Sequence, residues 1–324
     1  MDLAIEIENL TYDYGRHPGI GGIDLRVARG EIVGLLGPNG SGKSTLLKVL
    51  ATWYRPTRGR YRILGVASGN EARLRQLLGV VLQPDAHFDH LTGCENAWLW
   101  AASFGLPREE IMLRLKALFE WAQLEAEACD LVRGYSYGMR RKLSLIEALV
   151  HRPPVLLLDE PSPGLDYPAQ VKLWQQLRQL ARENGVTVMV ATNDVREAET
   201  VCDRVVFLSR GRLVAQGSPE ALLAPLRARV RVQIALAGRV SRVAAYLLQV
   251  SGVEQVAQVE DKLQIWAVPH DGLLARVVEA VGEAGGRLLS LQVAEPHLGD
   301  VFLQLTGEEM PRDVANQYVA EGTP

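Results

Sequence analysis

Gly37-Pro38-Asn39-Gly40-Ser41-Gly42-Lys43-Ser44 is a glycine-rich octet that ends in a lysine and a hydroxyl. Residues of these types at this spacing bind phosphate. The glycines let the backbone wrap tightly and turn its N–H groups inward, Lys43 suits β- and γ-phosphates, and the Ser44 hydroxyl suits Mg²⁺. Only six of the 35 basic residues are lysine, so a lysine at this position points to a compact charge rather than a planar fork. Further along, "VLLLDEP" sets Asp159 and Glu160 at the end of an apolar run. Strand ends of this kind are where ligands of α/β sheets gather. Asp159 is suited to hold Mg²⁺, in part through water, and Glu160 to polarise an attacking water.

The elements around these residues must aim them. "EIVGLLG" is a continuous apolar strand that feeds the loop, and an apolar helix follows from Lys43 to Thr52. The positive N-terminal end of that helix adds to the anion site. "PPVLLLDEP", "VTVMVAT" and "DRVVFLSRGRLV" read as further buried strands, and helical stretches lie between them. Strands alternating with helices predict a parallel sheet. "LAIEIENLTY", "GGIDLRVARG" and "GRYRILG" alternate and predict an antiparallel edge sheet. From about 85 to 150 the pattern is helical throughout, which predicts a helical subdomain inserted into the core. Past Pro225 the order β-α-β-β-α-β predicts a small ferredoxin-like α+β domain over 226–308, with its hairpin turning at Glu260-Asp261. "HLGDVFLQLTG" reads as a capping helix and 309–324 as a mobile tail.

About 116 residues separate Lys43 from Asp159, more than small kinases and GTPases usually place there. Over Leu3 to Pro225 the chain resembles the ATP-binding cassette ATPases, which implies a P-loop NTPase cassette that hydrolyses ATP with Mg²⁺. Tyr14, or alternatively Tyr12, corresponds to the aromatic that stacks on adenine. Thr45 is counted with the nucleotide contacts of the phosphate loop. "VVLQP" places Gln83 in the family's glutamine loop, which reaches Mg²⁺ and the attacking water. "GYSYGMRRKLSL" is similar to the signature motif, with Ser136 and Gly138 at the positions that face phosphate and Tyr137 replacing a glycine. Ser136 also reads as a helix N-cap. "PSPGLD" resembles the loop whose aspartate, here Asp166, links two active sites. The family's usual histidine ahead of the "EAE" stretch is replaced by Asn193. An amide donates a hydrogen bond but carries no charge, which weakens phosphate contact by about 1 kcal/mol and predicts slow hydrolysis.

The resemblance implies a head-to-tail dimer in which the signature of one copy closes over the nucleotide of the other, the mate being a second copy or another cassette. "EPHLGDVFLQLTG" and "WYRPTRGRYRILG" resemble the drug- and polysaccharide-exporter branch, whose partners are separate ABC-2 membrane subunits. An importer ATPase and a soluble cassette acting on ribosomes or DNA are the other two readings. A docking surface is expected near Gln83, Phe88, Trp98 and Trp100, although both tryptophans also suit packing inside the subdomain. Net charge is −3 with pI near 6.1, so no nucleic-acid partner is expected. Cys94, Cys129 and Cys202 are scattered without metal spacing, as in a reduced cytoplasmic protein. "MDLAIEIENL" lacks the pattern of a signal peptide, and no apolar run reaches the roughly 20 residues of a membrane helix. The expectation is a peripheral protein on the inner face of the membrane, with another chain supplying the span.

Overall fold

The computed structural model describes residues 2–15, 18–226, 228–237, 240–259, 262–308 and 310. The described residues fold as two units, one running to Pro219 and taking up the chain again at Thr306, the other spanning Glu220–Leu305. The first begins with strands β1 (Leu3–Asp13), β2 (Pro18–Ala28) and β3 (Ile32–Leu36), then helix α1 (Lys43–Leu50). Strands β4 (Arg58–Ile63) and β5 (Val66–Ala67), helix α2 (Glu71–Leu77) and strand β6 (Leu78–Val81) follow. Three helices come next: α3 (Gly93–Ser103), α4 (Arg108–Ala122) and α5 (Tyr137–Leu149). The unit continues with β7 (Val155–Asp159), α6 (Tyr167–Asn184), β8 (Thr187–Thr192), α7 (Val195–Val201), β9 (Arg204–Ser209) and β10 (Arg212–Gly217).

Two sheets result. β2-β1-β4-β5 is antiparallel, and β10-β9-β3-β8-β7-β6 is parallel except for β10. Every residue of β3, β7 and β8 is buried, as expected of parallel strands covered on both faces. Their register aligns the chemistry. Leu36 at the end of β3 pairs with Thr192 of β8, and Asp159 at the end of β7 pairs with Ala191. The phosphate loop, the Asp159-Glu160 pair and Asn193 therefore leave the sheet along one edge. One sequence expectation changes here. "DRVVFLSRGRLV" is not buried throughout: it turns at Arg210-Gly211, both at positive φ, into a hairpin whose second strand alternates between exposed and half-buried residues.

The helical insertion has its own core, in which Ala97, Ile111, Leu115, Phe119, Leu143 and Ile146 pack together. Thr92 opens α3 with a capping box through Glu95, and Ser136 caps α5 by accepting from the Met139 N–H.

The second unit contains α8 (Pro219–Leu223), β11 (Val230–Ala237), α9 (Val240–Leu247), β12 (Val253–Val259), β13 (Lys262–Ala267), α10 (Leu273–Glu283), β14 (Arg287–Ala294) and α11 (Leu298–Thr306). Its sheet, β12-β13-β11-β14, is antiparallel. Val232, Ile234, Leu263 and Ile265 face Val243, Leu247, Val277 and Val281 in one core. The expected turn at Glu260-Asp261, and all of 309–324 but Met310, lie outside the described residues.

A buried ion pair ties α11 to β11. Arg231 donates to Asp300 Oδ1 at 2.8 Å, and Asp300 Oδ2 also accepts from the His297 N–H at 2.9 Å. The Asp300 side chain is only 3% exposed, so its removal takes the paired carboxylate from a largely buried guanidinium and leaves it the neighbouring His297 ring. Asp300→Ala is expected to destabilise the second unit by about 3 kcal/mol, read as a shifted denaturant midpoint.

Candidate functional site

The phosphate loop takes its shape from packing below it. A Cβ on Gly37 would lie 2.1 Å from the Leu208 carbonyl oxygen, and one on Gly42, at φ +106, would lie 2.8 Å from Ile20. No larger residue fits either position. Gly42 caps α1 without a side-chain bond, so the first N–H groups of that helix have no side-chain acceptor. Ser41 Oγ is buried without a hydrogen-bond partner among the described residues. Lys43 is 5% exposed, and its Nζ donates to the loop's own carbonyls, Gly37 O at 2.6 Å and Pro38 O at 3.1 Å. Burial pushes its pKa down, while Glu160 and Asp159 pull it back up. Ser41 Oγ, Lys43 Nζ and the first N–H groups of α1 are donors that the loop could turn toward an anion.

Facing Lys43, Asp159 is 3% exposed. Burial raises its pKa against the lowering effect of a hydrogen bond from Ser44. Ser44, Asp159 and the carbonyl oxygen of Gln83 are hard oxygen donors of the kind a small divalent cation takes. Glu160 stands at φ +48, in the left-handed region. Its carboxylate accepts from Gln83 Nε2 at 3.3 Å and from Asn193 Nδ2 at 2.8 Å. Asn193 Nδ2 also donates to Asn39 Oδ1 of the phosphate loop at 3.0 Å. Three chain segments thus meet at one carboxylate, with the phosphate loop joined to them through Asn193, although Gln83, Glu160 and Asn193 are far apart in sequence.

Tyr14 is 51% exposed, and its hydroxyl lies 3.1 Å from Thr45 Oγ1. Tyr12 stacks on Tyr54 at 4.8 Å and packs against the main core. Tyr54 meets Tyr14 edge-on at 5.8 Å and has no sequence signal, because only folding brings the turn after α1 beside β1. Trp98 and Trp100 stay 38% and 45% exposed and take no part in the helical core. Trp100 lines a groove of about 350 Å³ with Trp53, Arg75, Gln76 and Phe104.

Ser136, Gly138 and Asp166 stand apart from this cradle. Among the described residues no hydrogen bond joins them to the phosphate loop. Ser136 caps α5, and Asp166 caps α6 by accepting from the Ala169 N–H at 2.8 Å. The substituted signature residue has a partner: a Cβ on Gly164, at φ +84, would lie 2.0 Å from Tyr137 Cδ1. The Tyr137 ring therefore lies over the glycine of "PSPGLD", which explains how the signature accommodates it.

Two groups escaped sequence reasoning. Arg141 is wholly buried behind Glu160. Glu197, the first residue of the "EAE" stretch, accepts from Trp174 Nε1 at 3.1 Å and Thr192 Oγ1 at 3.0 Å, and also bonds Ser162. Burial pushes its pKa up to about 7 despite those bonds. Neither arrangement is visible locally, since Arg141 reaches Glu160 from α5, 19 residues earlier, and Trp174 reaches Glu197 from α6, 23 residues earlier.

A glycine-rich loop between β3 and α1, with an acidic pair ending β7, defines a P-loop nucleotide-binding ATPase. Residues 20–163 match the family model described as ABC transporter. The linearmycin resistance ATP-binding protein LnrL of Bacillus subtilis (strain 168) is 31% identical over 94% of this chain and 99% of that one. The daunorubicin resistance ATP-binding protein DrrA3 of Streptomyces coeruleorubidus is 36% identical over 95% of this chain and 97% of that one. Among solved structures, a dimeric ATP-binding cassette in a post-hydrolysis state bound to ADP and Pi covers 66% of this chain and 98% of its own, with a TM-score of 0.62 and 28% identity. The chain belongs to the ABC transporter ATPase family.

Gly164→Ala is expected to cost about 2 kcal/mol, through its positive φ and the Tyr137 ring, and Tyr137→Gly to restore part of that in thermal melts. Glu197 gives a pH signature. Its folded pKa of about 7 lies above the ordinary 4.5, so its stabilising contribution is complete below 4.5 and lost as pH rises through 7. Unfolding free energies from pH 4.5 to 8 are expected to show that decline in the wild type relative to Glu197→Gln.

Proposed function

We propose that this ATPase energises an exporter as a head-to-tail dimer with separate ABC-2 type membrane subunits, working at the inner face of the membrane. The observation that carries the catalytic part is the convergence of Gln83 and Asn193 on the Glu160 carboxylate, beside buried Lys43 and Asp159. In this reading the loop from Gly37 to Ser44 and the N-terminus of α1 hold the β- and γ-phosphates, Lys43 exchanges its carbonyl partners for phosphate oxygens, and Tyr14 stacks on adenine. Ser44, Asp159 and Gln83 would hold Mg²⁺, which neutralises phosphate charge when bound. Glu160 orients and polarises the attacking water. Gln83 and Asn193 keep that carboxylate aimed through neutral donors.

Ser136, Gly138 and Asp166 do not reach their own phosphate loop, which supports their working across a dimer. Exporter coupling is supported by the drug-resistance relatives, whose similarity extends over nearly the whole chain. Among the described residues no helix is long and apolar enough to cross a membrane. The exposure of Phe88, Trp98 and Trp100, the last lining a groove with Trp53, supports a docking surface for a membrane subunit in this region.

Glu160→Gln is expected to lower kcat by about 10²–10³ while ATP still drives dimerisation, measured by phosphate release and light scattering. Wild-type turnover in that variant would remove Glu160 from the chemistry. Asn193→Ala is expected to slow turnover roughly tenfold, because it deletes one donor to Glu160. Affinity capture from detergent extract is expected to recover a multi-span membrane protein, and recovery of ribosomes instead would overturn the exporter assignment.

A further inference from the structure

We infer that Arg141 is a positioning residue for hydrolysis: it holds the strained backbone under Glu160 and joins that turn to helix α5 and to the glutamine loop. This rests on the catalytic role proposed for Glu160. Arg141 is 0% exposed and is among the largest fully buried side chains. Its Nη2 donates to the backbone carbonyl oxygens of both Asp159 and Glu160, the latter at 2.6 Å. Its Nη1 donates to Asp85 Oδ1 at 3.0 Å, and Asp85 also accepts from Ser144 Oγ at 3.2 Å. Asp85 lies two residues past Gln83.

The physical need is specific. A non-glycine residue at φ +48 costs conformational free energy and persists only where its surroundings over-determine it. The Glu160 N–H is already committed to Ala191 O at 2.8 Å. The carbonyl side of the same turn is held by Arg141. A planar guanidinium can serve two carbonyls and a carboxylate from one centre, whereas an ammonium offers a single point of charge. Burial also makes the contact expensive to break, since a released guanidinium there has no water to receive it. Arg141 sits just over one turn into the helix that Ser136 caps. A short rigid path therefore runs from the signature residue to the carboxylate that orients water in the same chain. Asp85 brings the loop carrying Gln83, the other donor to that carboxylate, onto the same guanidinium.

The test combines phosphate release, binding of a fluorescent ATP analogue and thermal melting for Arg141→Gln, Arg141→Lys, Asp85→Asn and Glu160→Gln. Arg141→Gln is expected to lower kcat about 100-fold and Arg141→Lys about tenfold, each with KM and analogue affinity within twofold of wild type. Asp85→Asn, which keeps the guanidinium and weakens its anchor, is expected to lower kcat severalfold with the same unchanged KM. Combining Arg141→Gln with Glu160→Gln is expected to add no further loss. If Arg141→Gln has no cooperative melt, Asp85→Asn and Arg141→Lys decide. Wild-type kcat in folded Arg141 and Asp85 variants, with Glu160→Gln inactive, overturns this inference alone. A fully active Glu160→Gln overturns the reading beneath it.

Discussion

A lysine ammonium and an aspartate buried together at the end of a parallel sheet, with a half-buried glutamate beside them, are the constraint on which the first unit depends. Burial acts against both signs of charge: it drives Lys43 toward its neutral form and Asp159 toward its protonated form. Each charge is kept by its neighbours. Lys43 rests on two carbonyl oxygens of its own loop, and Asp159 takes the Ser44 hydroxyl. These contacts are enough to hold the groups in place without a ligand. They leave spare capacity in the loop N–H groups, in Ser41 Oγ and in the oxygen donors around Asp159. In the proposed reading, a triphosphate with its cation would supply the acceptors and the charge that match those groups.

The rest of the unit keeps that arrangement from collapsing. Apolar strands β3, β7 and β8 exclude water from below, and their register places the three chemical segments side by side. The antiparallel sheet packs over α1 and shares its core with the parallel one. Asn193 contributes hydrogen-bond geometry without charge. Its amide bridges Asn39 and Glu160, so the site is held by neutral donors on both sides of the carboxylate. The Tyr137 substitution follows the same logic of local compensation, since Gly164 leaves room for the ring.

The phosphate loop, the acidic pair and the strand-helix alternation were all legible before folding. Each rests on a rule that acts over a few residues: glycines where the backbone must turn, apolar runs where a strand is buried, a hydroxyl where a helix starts. The helical insertion between β6 and β7 and the β-α-β-β-α-β order after Pro225 were readable for the same reason, through the period of their apolar residues. The hairpin at Arg210-Gly211 was blurred because both of its strands carry apolar residues, and only the exposed alternate positions of β10 separate them.

What chain order could not reveal is which distant groups share one charge or one space. Tyr54 beside Tyr14, Arg141 beneath Glu160, Glu197 among Trp174, Thr192 and Ser162, and Tyr137 over Gly164 all join segments brought together by sheet register and helix packing. Residue types alone marked the loop from Gly37 to Ser44 as one suited to phosphate, because backbone N–H groups, a lysine and a hydroxyl are its natural donors where a strand meets a helix in that pattern. Tertiary structure decided how the glutamate is held, because a left-handed turn and a half-buried carboxylate persist only when partners from remote segments arrive at hydrogen-bonding distance.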